Sequence, residues 1–360
     1  VQYFPLCEYR GDGKFVSMLT GEEQEVSFNK KMVDATYLKT TVPSTHTPNF
    51  SVADDVRFMP LNDLPKISQP PTDFVVIGGG KTGIDACLWL LENGVNADKI
   101  KWIVSRDAWL IDRKNTQPGE QFFSNTIGGQ ALQFEAVAAS TSIENMFDRL
   151  EESGVLVRID QNVRPQMFHG ATVSQAELTE LRKIKNVVRL GRVKSIETDK
   201  ITLDRGEIPT TTNTVHVDCS ASAISNLETK PIFNGDVITP QTVRSYQPVF
   251  SASFIAHIEA TRDTEEEKNR LCGVVPLPNH DTDWIRMLAA MMMNQYNWGQ
   301  DKELRKWLNN NRLDGFGSLV AGVSKEDKEK MAIMGRIKNS VFPAIMKLQE
   351  YVGELDKQNV

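Results

Sequence analysis

The sequence predicts an α/β fold on three observations. The first is an all-apolar run, Phe74–Ile77, which is followed at once by glycine-rich residues 78–83 and then by a helical pattern. The second is another apolar run at 101–105, about 30 residues from the start of the first, as in a strand–helix–strand unit. The third is helical spacing of apolar residues in the C-terminal third, where positions 284, 287, 288, 291 and 292 form one stripe.

Composition narrows the functional classes. The chain has 360 residues and begins at Val1, a length that corresponds to about two domains at roughly 150 residues each. Its 41 Lys and Arg against 47 Asp and Glu give a net charge of −6, which argues against a nucleic-acid or polybasic membrane-surface protein. We expect no membrane span, because the apolar runs are far shorter than the roughly 18 residues a span needs. The four dispersed cysteines are typical of a reducing cytoplasm.

Residues 1–72 are predicted to be short strands followed by a linker. Strands are expected at 2–9, 14–19 and 25–28, around Gly-rich turns at 11–13 and 21, with a further strand at 31–37. Six prolines between residues 40 and 72 are interpreted as excluding regular elements, so this stretch is expected to be a linker or crossover.

From residue 73 the pattern alternates between strands and helices. After Phe74–Ile77 we expect a helix at 84–92, a strand at 101–105, a mostly helical stretch at 107–185 with one short strand at 155–159, and further strands at 186–190, 193–197, 201–203 and 214–219. Two capping boxes, at 141–144 and 174–177, predict helix starts. The remainder begins with loops and strands and ends in helices, the last at 324–355 with Met331, Met334, Val341, Ile345 and Leu348 inward and a kink at Pro343.

An internal echo suggests two related nucleotide-binding domains. Residues 33–36 (Val-Asp-Ala-Thr) and 217–220 (Val-Asp-Cys-Ser) each close a meander of short strands. A strand–helix unit precedes the second meander, whereas only Val1 precedes the first. The alternative is chance, since β-meanders are common.

The strongest functional motif is G-x-G-x-x-G at residues 78–83, here called the glycine loop. It follows an apolar strand and opens a helix, the context that predicts dinucleotide binding in a Rossmann-like domain. Its glycines permit the tight turn, the approach of a pyrophosphate and close helix packing, and the helix N-terminus attracts phosphate. Lys81 could add charge to the same anion. The alternative is a glycine-rich turn with no ligand. The expected cofactor-binding residues are Gly78, Gly79, Gly80, Lys81, Thr82, Gly83, Ser105 and Arg106.

Ser105 and Arg106 favour NADPH over NADH. The residue that meets the adenosine ribose lies at the end of the second strand, where an acidic residue would favour NAD. Here that position holds Ser105 and Arg106, and a guanidinium forks onto a 2′-phosphate. In the alternative reading, Arg106 is a solvated charge and Asp107 takes the ribose.

The segment 74–106 resembles the NADPH-binding domain of flavoproteins with two dinucleotide-binding domains, above all flavin-containing monooxygenases. Residues 80–85 (Gly-Lys-Thr-Gly-Ile-Asp) and the Ser-Arg at 105–106 match that pattern. The resemblance covers about residues 1–225 and implies that FAD is bound by the first domain, which the NADPH domain interrupts. It implies a partial FAD-type domain at 1–70, an NAD(P)-binding domain at 71–220, and a return to the first domain with a helical region at 221–360. The FAD-binding glycine motif, implied to precede Val1, is absent, as is any C-x-x-C.

The function expected from these observations is a cytoplasmic NAD(P)H-dependent flavoprotein oxidoreductase of the monooxygenase-like kind, acting on a small-molecule substrate. Hydride would pass from NADPH to FAD and on to oxygen or another acceptor, with no metal. Two alternatives remain open: a flavin-free NADPH reductase, and a non-catalytic nucleotide-binding subunit. No catalytic residue is identified. His257 is considered as a group that could reach a flavin, His216 as structural, and the apolar C-terminal helix as a possible homo-oligomer interface.

Overall fold

The computed structural model describes residues 6–11, 13–38, 41–42, 46–222 and 228–358. Parts of the predicted strand at 2–9 and turn at 11–13 (residues 2–5 and 12), Pro43, and residues 223–227 lie outside the described residues. The strands are β1 (Cys7–Gly11), β2 (Lys14–Ser17), β3 (Glu23–Glu25), β4 (Met32–Val33), β5 (Ser51–Val52), β6 (Arg57–Pro60), β7 (Phe74–Ile77), β8 (Ile100–Ile103), β9 (Ala108–Asp112), β10 (Leu156–Val157), β11 (Met167–Val173), β12 (Val187–Val188), β13 (Val193–Ile196), β14 (Lys200–Leu203), β15 (Gly206–Pro209), β16 (Val215–Asp218), β17 (Phe233–Asn234) and β18 (Val237–Ile238).

The α-helices are concentrated in the middle and at the end of the chain. They are α1 (Lys81–Glu92), α2 (Phe123–Ala138), α3 (Ile143–Glu152), α4 (Gln175–Leu181), α5 (Pro248–Thr261), α6 (Glu265–Leu271), α7 (Asp283–Gln300), α8 (Lys302–Asn310), α9 (Gly317–Ala321) and α10 (Lys328–Gln358). The predicted mixed α/β class, with a parallel sheet and C-terminal helices, is confirmed.

A five-stranded parallel sheet lies at the centre, in the order β12-β8-β7-β16-β6. All four residues of β7 are buried, because helices cover one face of the sheet and a meander covers the other. Helices α1 and α4 pack on the first face, where Ile84 and Leu178 belong to the same apolar core as Val76. The carboxyl ends of these strands form the edge that carries the glycine loop.

The expectation that residues 40–72 exclude regular elements is wrong. This stretch contains β5 and β6, followed by a 3-10 helix at Leu61–Lys66. Among the described residues, β6 pairs with β16 alone and forms the edge of the sheet, with Pro60 at its last position. Proline is tolerated at such an edge, and its density along the chain therefore did not exclude a strand.

The meander covers the second face of the parallel sheet. It is a four-stranded sheet in the order β15-β14-β13-β5. Ile196, Ile201 and Leu203 are buried against Val75 and Ile77 of β7 in one apolar cluster. The predicted strands at 193–197 and 201–203 are confirmed within one residue at their ends.

A third layer joins the middle of the chain to its C-terminus. Strands β10 and β11 flank β9, and helices α2, α3, α7 and α10 pack over this small sheet. The stretch 107–185 is therefore less helical than expected, since β9 and β11 were missed. In β11, Gly170 has φ +70°. Four consecutive residues of this strand are half-buried, so buried and exposed positions do not alternate along it.

The predicted helix starts and the last helix need small corrections. The capping box at Ser174 and Glu177 is confirmed, but the N-cap of α3 is Ser142 instead of Thr141. The last helix is α10, in which Leu348 is buried, as expected, whereas Met331 is exposed. Among the described residues, no helix is long and apolar enough to cross a membrane.

The internal echo extends to hydrogen bonding. After β4, the Asp34 Oδ1 atom accepts from the Thr36 amide at 2.9 Å and from the Thr36 hydroxyl at 2.7 Å. After β16, the Asp218 Oδ1 atom accepts from the Ser220 amide at 2.9 Å and from the Ser220 hydroxyl at 2.6 Å. Each strand also pairs in parallel, β4 with β18 and β16 with β7. Both strands therefore end in the same kind of turn.

Candidate functional site

The glycine loop is locked against the sheet at two glycines. Gly78 has φ +132°, and a Cβ there would lie 2.3 Å from the Cys219 carbonyl oxygen. A Cβ on Gly83 would lie 1.9 Å from the Gly78 carbonyl oxygen. The buried Trp102 indole donates to that same oxygen at 2.8 Å. Helix α1 therefore sits closer to β7 than any residue other than glycine allows.

The other two glycines of the loop differ: Gly79 faces residues just after β8, and Gly80 faces open space. A Cβ on Gly79 would lie 2.8 Å from Val104 Cγ1 and 3.0 Å from the Arg106 carbonyl oxygen. A Cβ on Gly80 would meet nothing within 4 Å. Gly80 is also the N-cap of α1 and has ordinary extended backbone angles, φ −85° and ψ −174°. Neither strain nor packing requires a glycine there, although glycine is a better N-cap than alanine.

The start of α1 has the electrostatic character of an anion site. Its first turn contains no acidic residue, and the N-cap supplies no side-chain hydrogen bond. The first amides of a helix carry partial positive charge and point away from its body. Thr82 lies half-buried in this turn. The Lys81 ammonium, which the sequence places near the anion, forms an ion pair with Asp85 one turn along the helix.

Ser105 and Arg106 lie just beyond the end of β8. Ser105 is exposed, and Arg106 is half-buried, with its Nη2 donating to Asn279 Oδ1 at 2.8 Å. Burial lowers the pKa of Arg106, with a further lowering from the nearby Arg192 and an opposing effect of Asp283. The guanidinium is still a cation at neutral pH. Arg106 and the nearby Arg192 therefore place two positive side chains at this corner of the sheet.

Asp107, the alternative ribose partner, is engaged elsewhere. Arg189 Nε lies 2.8 Å from Asp107 Oδ2, and Arg189 Nη2 lies 3.0 Å from Asp107 Oδ1. Both carboxylate oxygens of Asp107 are thus bound by a single guanidinium. A ribose hydroxyl would have to compete with this two-bond contact for Asp107.

Asn279 connects the corner at Arg106 to the C-terminal part of the chain. Its Oδ1 accepts from Arg106 and from His169 Nε2, the latter at 3.0 Å. Asp283 Oδ2 accepts from the amides of Asn279 and His280 at 2.9 and 2.8 Å. Burial lowers the pKa of His169, Asn279 opposes this, and Arg106 and His280 add to the lowering. His169 is therefore a neutral donor at neutral pH.

A cavity of about 290 Å³ lies beside Asn279. Its wall combines polar groups, among them Tyr37, Gln241 and Thr242, with apolar ones such as Val274 and Leu277. Tyr37 follows β4, so the cavity borders the turn that resembles the turn after β16. Together with Arg106, Asn279 links this cavity to the glycine loop, because the Arg106 carbonyl adjoins Gly79.

Asn279, His169 and Arg189 were missed by the sequence reasoning. Asn279 lies in a loop and belongs to no motif, so no sequence signal could have identified it. Arg189 immediately follows β12, a third parallel strand, and the rule that ligands meet the carboxyl ends of such strands could have drawn attention to it.

The other histidines considered in the sequence take structural places. His216 is fully buried, with Nε2 2.8 Å from Thr210 Oγ1 and Nδ1 3.3 Å from the Arg57 carbonyl oxygen. His257 stacks on Trp307 at a centroid distance of 4.2 Å and does not line the cavity beside Asn279. Within the described ranges, no group of three or more His, Cys, Asp or Glu side chains could hold a metal ion.

Comparison with known proteins gives relatives without an assigned activity. No family model matches the chain. It is 43% identical over 334 residues to an uncharacterized protein of Mycobacterium tuberculosis strain H37Rv, and equally to one of Mycobacterium bovis. The match covers 93% of this chain and 62% of each relative. The chain thus spans less than two thirds of the length of the curated relatives it matches.

Proposed function

We propose that the chain binds NADPH at the glycine loop and serves an NAD(P)H-dependent oxidoreductase. The observation that carries this proposal is that the glycines of the loop differ in what surrounds them. Gly78 and Gly83 are explained by packing, whereas Gly80 borders open space at an uncapped helix N-terminus. A diphosphate placed there would accept hydrogen bonds from the free backbone amides of the first turn.

The roles of the neighbouring residues follow from their positions. Because Gly79 has no side chain, the backbone of the loop can lie against Val104, just beyond the end of β8. Thr82 lies in the first turn, within reach of the same anion, and Lys81 supplies charge that Asp85 partly neutralises. Ser105 and Arg106 would face the 2′-phosphate, since the Asp107 carboxylate is already held by Arg189.

The domain arrangement is also part of the proposal. In it, residues 71–220 form a Rossmann-like NAD(P)-binding domain inserted in a partial FAD-type domain, which comprises residues 1–70 and resumes in 221–360 with the helical region. The matching turns after β4 and β16 support two related units. Strand β6, from the first segment, would then complete the parallel sheet of the inserted domain.

FAD is proposed as the hydride acceptor on the resemblance to flavin-containing monooxygenases. When bound, it would accept hydride from NADPH and pass electrons to oxygen or another acceptor. The motif G-x-G-x-x-G occurs once in the sequence, at the site assigned to NADPH. No residue of this chain is therefore assigned to the FAD phosphates, and no step is derived through the flavin. A small-molecule substrate, a cytoplasmic location and a homo-oligomer belong to the same proposal.

One spectrum tests the flavin assignment. The purified full-length protein should absorb between about 350 and 500 nm, and NADPH should bleach that band as the flavin is reduced. A colourless protein that still oxidises NADPH would replace the proposal with a flavin-free reductase. A protein that binds NADPH without oxidising it would indicate a non-catalytic nucleotide-binding subunit.

The flavin-free reductase has one structural observation in its favour. Such an enzyme needs a proton donor near the nicotinamide, and both Tyr37 and His280 line the cavity beside Asn279. The Tyr37 hydroxyl donates to the Glu228 carbonyl in the present arrangement. A loss of NADPH oxidation in Tyr37→Phe, with unchanged NADPH binding, would favour this alternative.

Arg106 provides the test of cofactor preference. Arg106→Ala should weaken NADPH binding by about tenfold or more and leave NADH nearly unchanged, because only NADPH carries the 2′-phosphate. Lys194→Ala, which removes an exposed cation of the meander, is the matched control. Equal affinities of the wild type for NADPH and NADH would reject the role given to Arg106.

A further inference from the structure

The Arg189 ion pairs, a contact of one guanidinium with two carboxylates, close the corner of the sheet beside the glycine loop. Besides its two bonds to Asp107, Arg189 Nη2 lies 3.1 Å from Asp160 Oδ2. Side-chain exposure is 29% for Arg189, 15% for Asp107 and 31% for Asp160. The Arg189 carbonyl accepts from Arg205 at 2.7 Å, which fixes the backbone below the guanidinium.

These ion pairs border a cleft that also includes Gly79. The cleft is lined by Gly79, Trp102, Val104, Asp107, Ala108, Ile159, Val187 and Arg189, and its volume is about 20 Å³. Such a space holds about one water molecule, and a nucleoside is far larger. A nucleoside therefore cannot occupy the cleft while the ion pairs are intact, and would have to lie over it, along the outer side of Arg189.

The cleft lies where the adenosine of a dinucleotide is expected. Asp107 follows β8 and Arg189 follows β12, so both lie at the carboxyl ends of neighbouring parallel strands. With its diphosphate at the start of α1 and its ribose at the end of β8, a dinucleotide directs its nucleoside toward this corner. An acidic residue at this position otherwise accepts from the 2′-hydroxyl of NAD.

We propose that Arg189 sets the preference of this site for a 2′-phosphorylated dinucleotide by masking the Asp107 carboxylate. The inference rests on the proposed nucleotide site. While Arg189 holds both oxygens of Asp107, that carboxylate accepts nothing from a ribose hydroxyl, and its charge is neutralised next to the place of the 2′-phosphate. Without Arg189, Asp107 would attract the ribose of NADH and repel NADPH.

The experiment is a titration of the full chain with NADPH and with NADH, followed by nicotinamide fluorescence. Arg189→Met should lower the ratio of the NADH to the NADPH dissociation constant by about tenfold or more, with weaker NADPH and tighter NADH binding. Adding Asp107→Asn to that variant should restore most of the ratio. Arg164→Met, which breaks an exposed ion pair with Asp148, is the matched control and should change neither constant.

The inference is overturned if Arg189→Met weakens both dinucleotides equally, or if Asp107→Asn alone weakens NADH by about tenfold, since the carboxylate would then already serve the ribose. A wild type that saturates with neither dinucleotide would overturn the proposed function itself, which distinguishes the two failures. If Arg189→Met does not fold, Arg189→Lys keeps the charge but not the two-bond fork. The ratio should then fall partway, and an unchanged ratio counts against the masking role.

Discussion

Substitutions at two glycines of the loop should separate folding from binding. Gly80→Ala places a methyl group in open space, with backbone angles that alanine adopts freely. Alanine is a poorer N-cap than glycine by roughly 0.5–1 kcal/mol, but it restricts the unfolded chain and thereby returns roughly 0.4–1 kcal/mol. The free energy of unfolding should therefore change little. NADPH binding should weaken by about tenfold or more, near 1.4 kcal/mol, because the methyl group occupies the approach of the diphosphate.

Gly83→Ala should behave in the opposite way. Its Cβ would lie 1.9 Å from the Gly78 carbonyl oxygen and 3.3 Å from Trp102 Nε1. Both neighbours are held in place, so α1 must move away from the sheet. Overpacking costs roughly 1–3 kcal/mol and occasionally more. At 1.9 Å from a backbone oxygen the cost should reach about 3 kcal/mol, which outweighs the gain of about 1 kcal/mol in helix propensity. The free energy of unfolding should fall, and affinity should fall only as the loop is displaced.

The assay pairs urea unfolding with an NADPH titration for each variant and the wild type. The reasoning is refuted if Gly80→Ala binds NADPH as tightly as the wild type, since Gly80 would then have no ligand to admit. It is also refuted if Gly83→Ala is as stable as the wild type, since the close contact of α1 with β7 would then not exist.

Three further predictions concern stability. Burial lowers the pKa of His216 from 6.5, so below pH 6.5 the unfolded state binds more protons than the folded state. The free energy of unfolding should therefore fall as the pH drops below that value, by at most about 1.4 kcal/mol per pH unit for this group. In urea unfolding, His216→Gln should reduce this dependence on pH. Arg244 Nη1 lies 2.8 Å from the buried Asp314 Oδ1, so Arg244→Met leaves that carboxylate without its ion-pair partner. The substitution should lower the free energy of unfolding by roughly 3–5 kcal/mol. A loss below about 1 kcal/mol would contradict this. Arg336→Ala removes a half-exposed ion pair with Glu135 and should cost at most about 1 kcal/mol, less at high salt in the same assay.

Local patterns were sufficient to predict the parallel sheet around the glycine loop. The apolar run of β7 and the loop itself involve residues close in sequence, so their periodicity and glycine spacing carry the signal. The edge strand β6 was not predicted, because its place depends on pairing with β16, more than 150 residues away. Strand β9 was likewise hidden, since both of its partners come from later parts of the chain.

The candidate site was predicted only where it follows a motif. The glycines and Arg106 follow strands that the sequence reveals, whereas Asn279 reaches Arg106 across 173 positions. The pairing of Lys81 with Asp85 is an ordinary contact one turn apart on a helix and could have been anticipated. The engagement of Asp107 by Arg189 depends on the relative positions of β8 and β12, which no local pattern encodes.

A crystal structure of the chain with NADPH would test the proposed dinucleotide site at the start of α1. The diphosphate should lie within hydrogen-bond distance of the amides of Lys81 and Thr82, and the 2′-phosphate should lie against Arg106. NADPH bound elsewhere, or no dinucleotide at the start of α1 at saturating concentration, would contradict it.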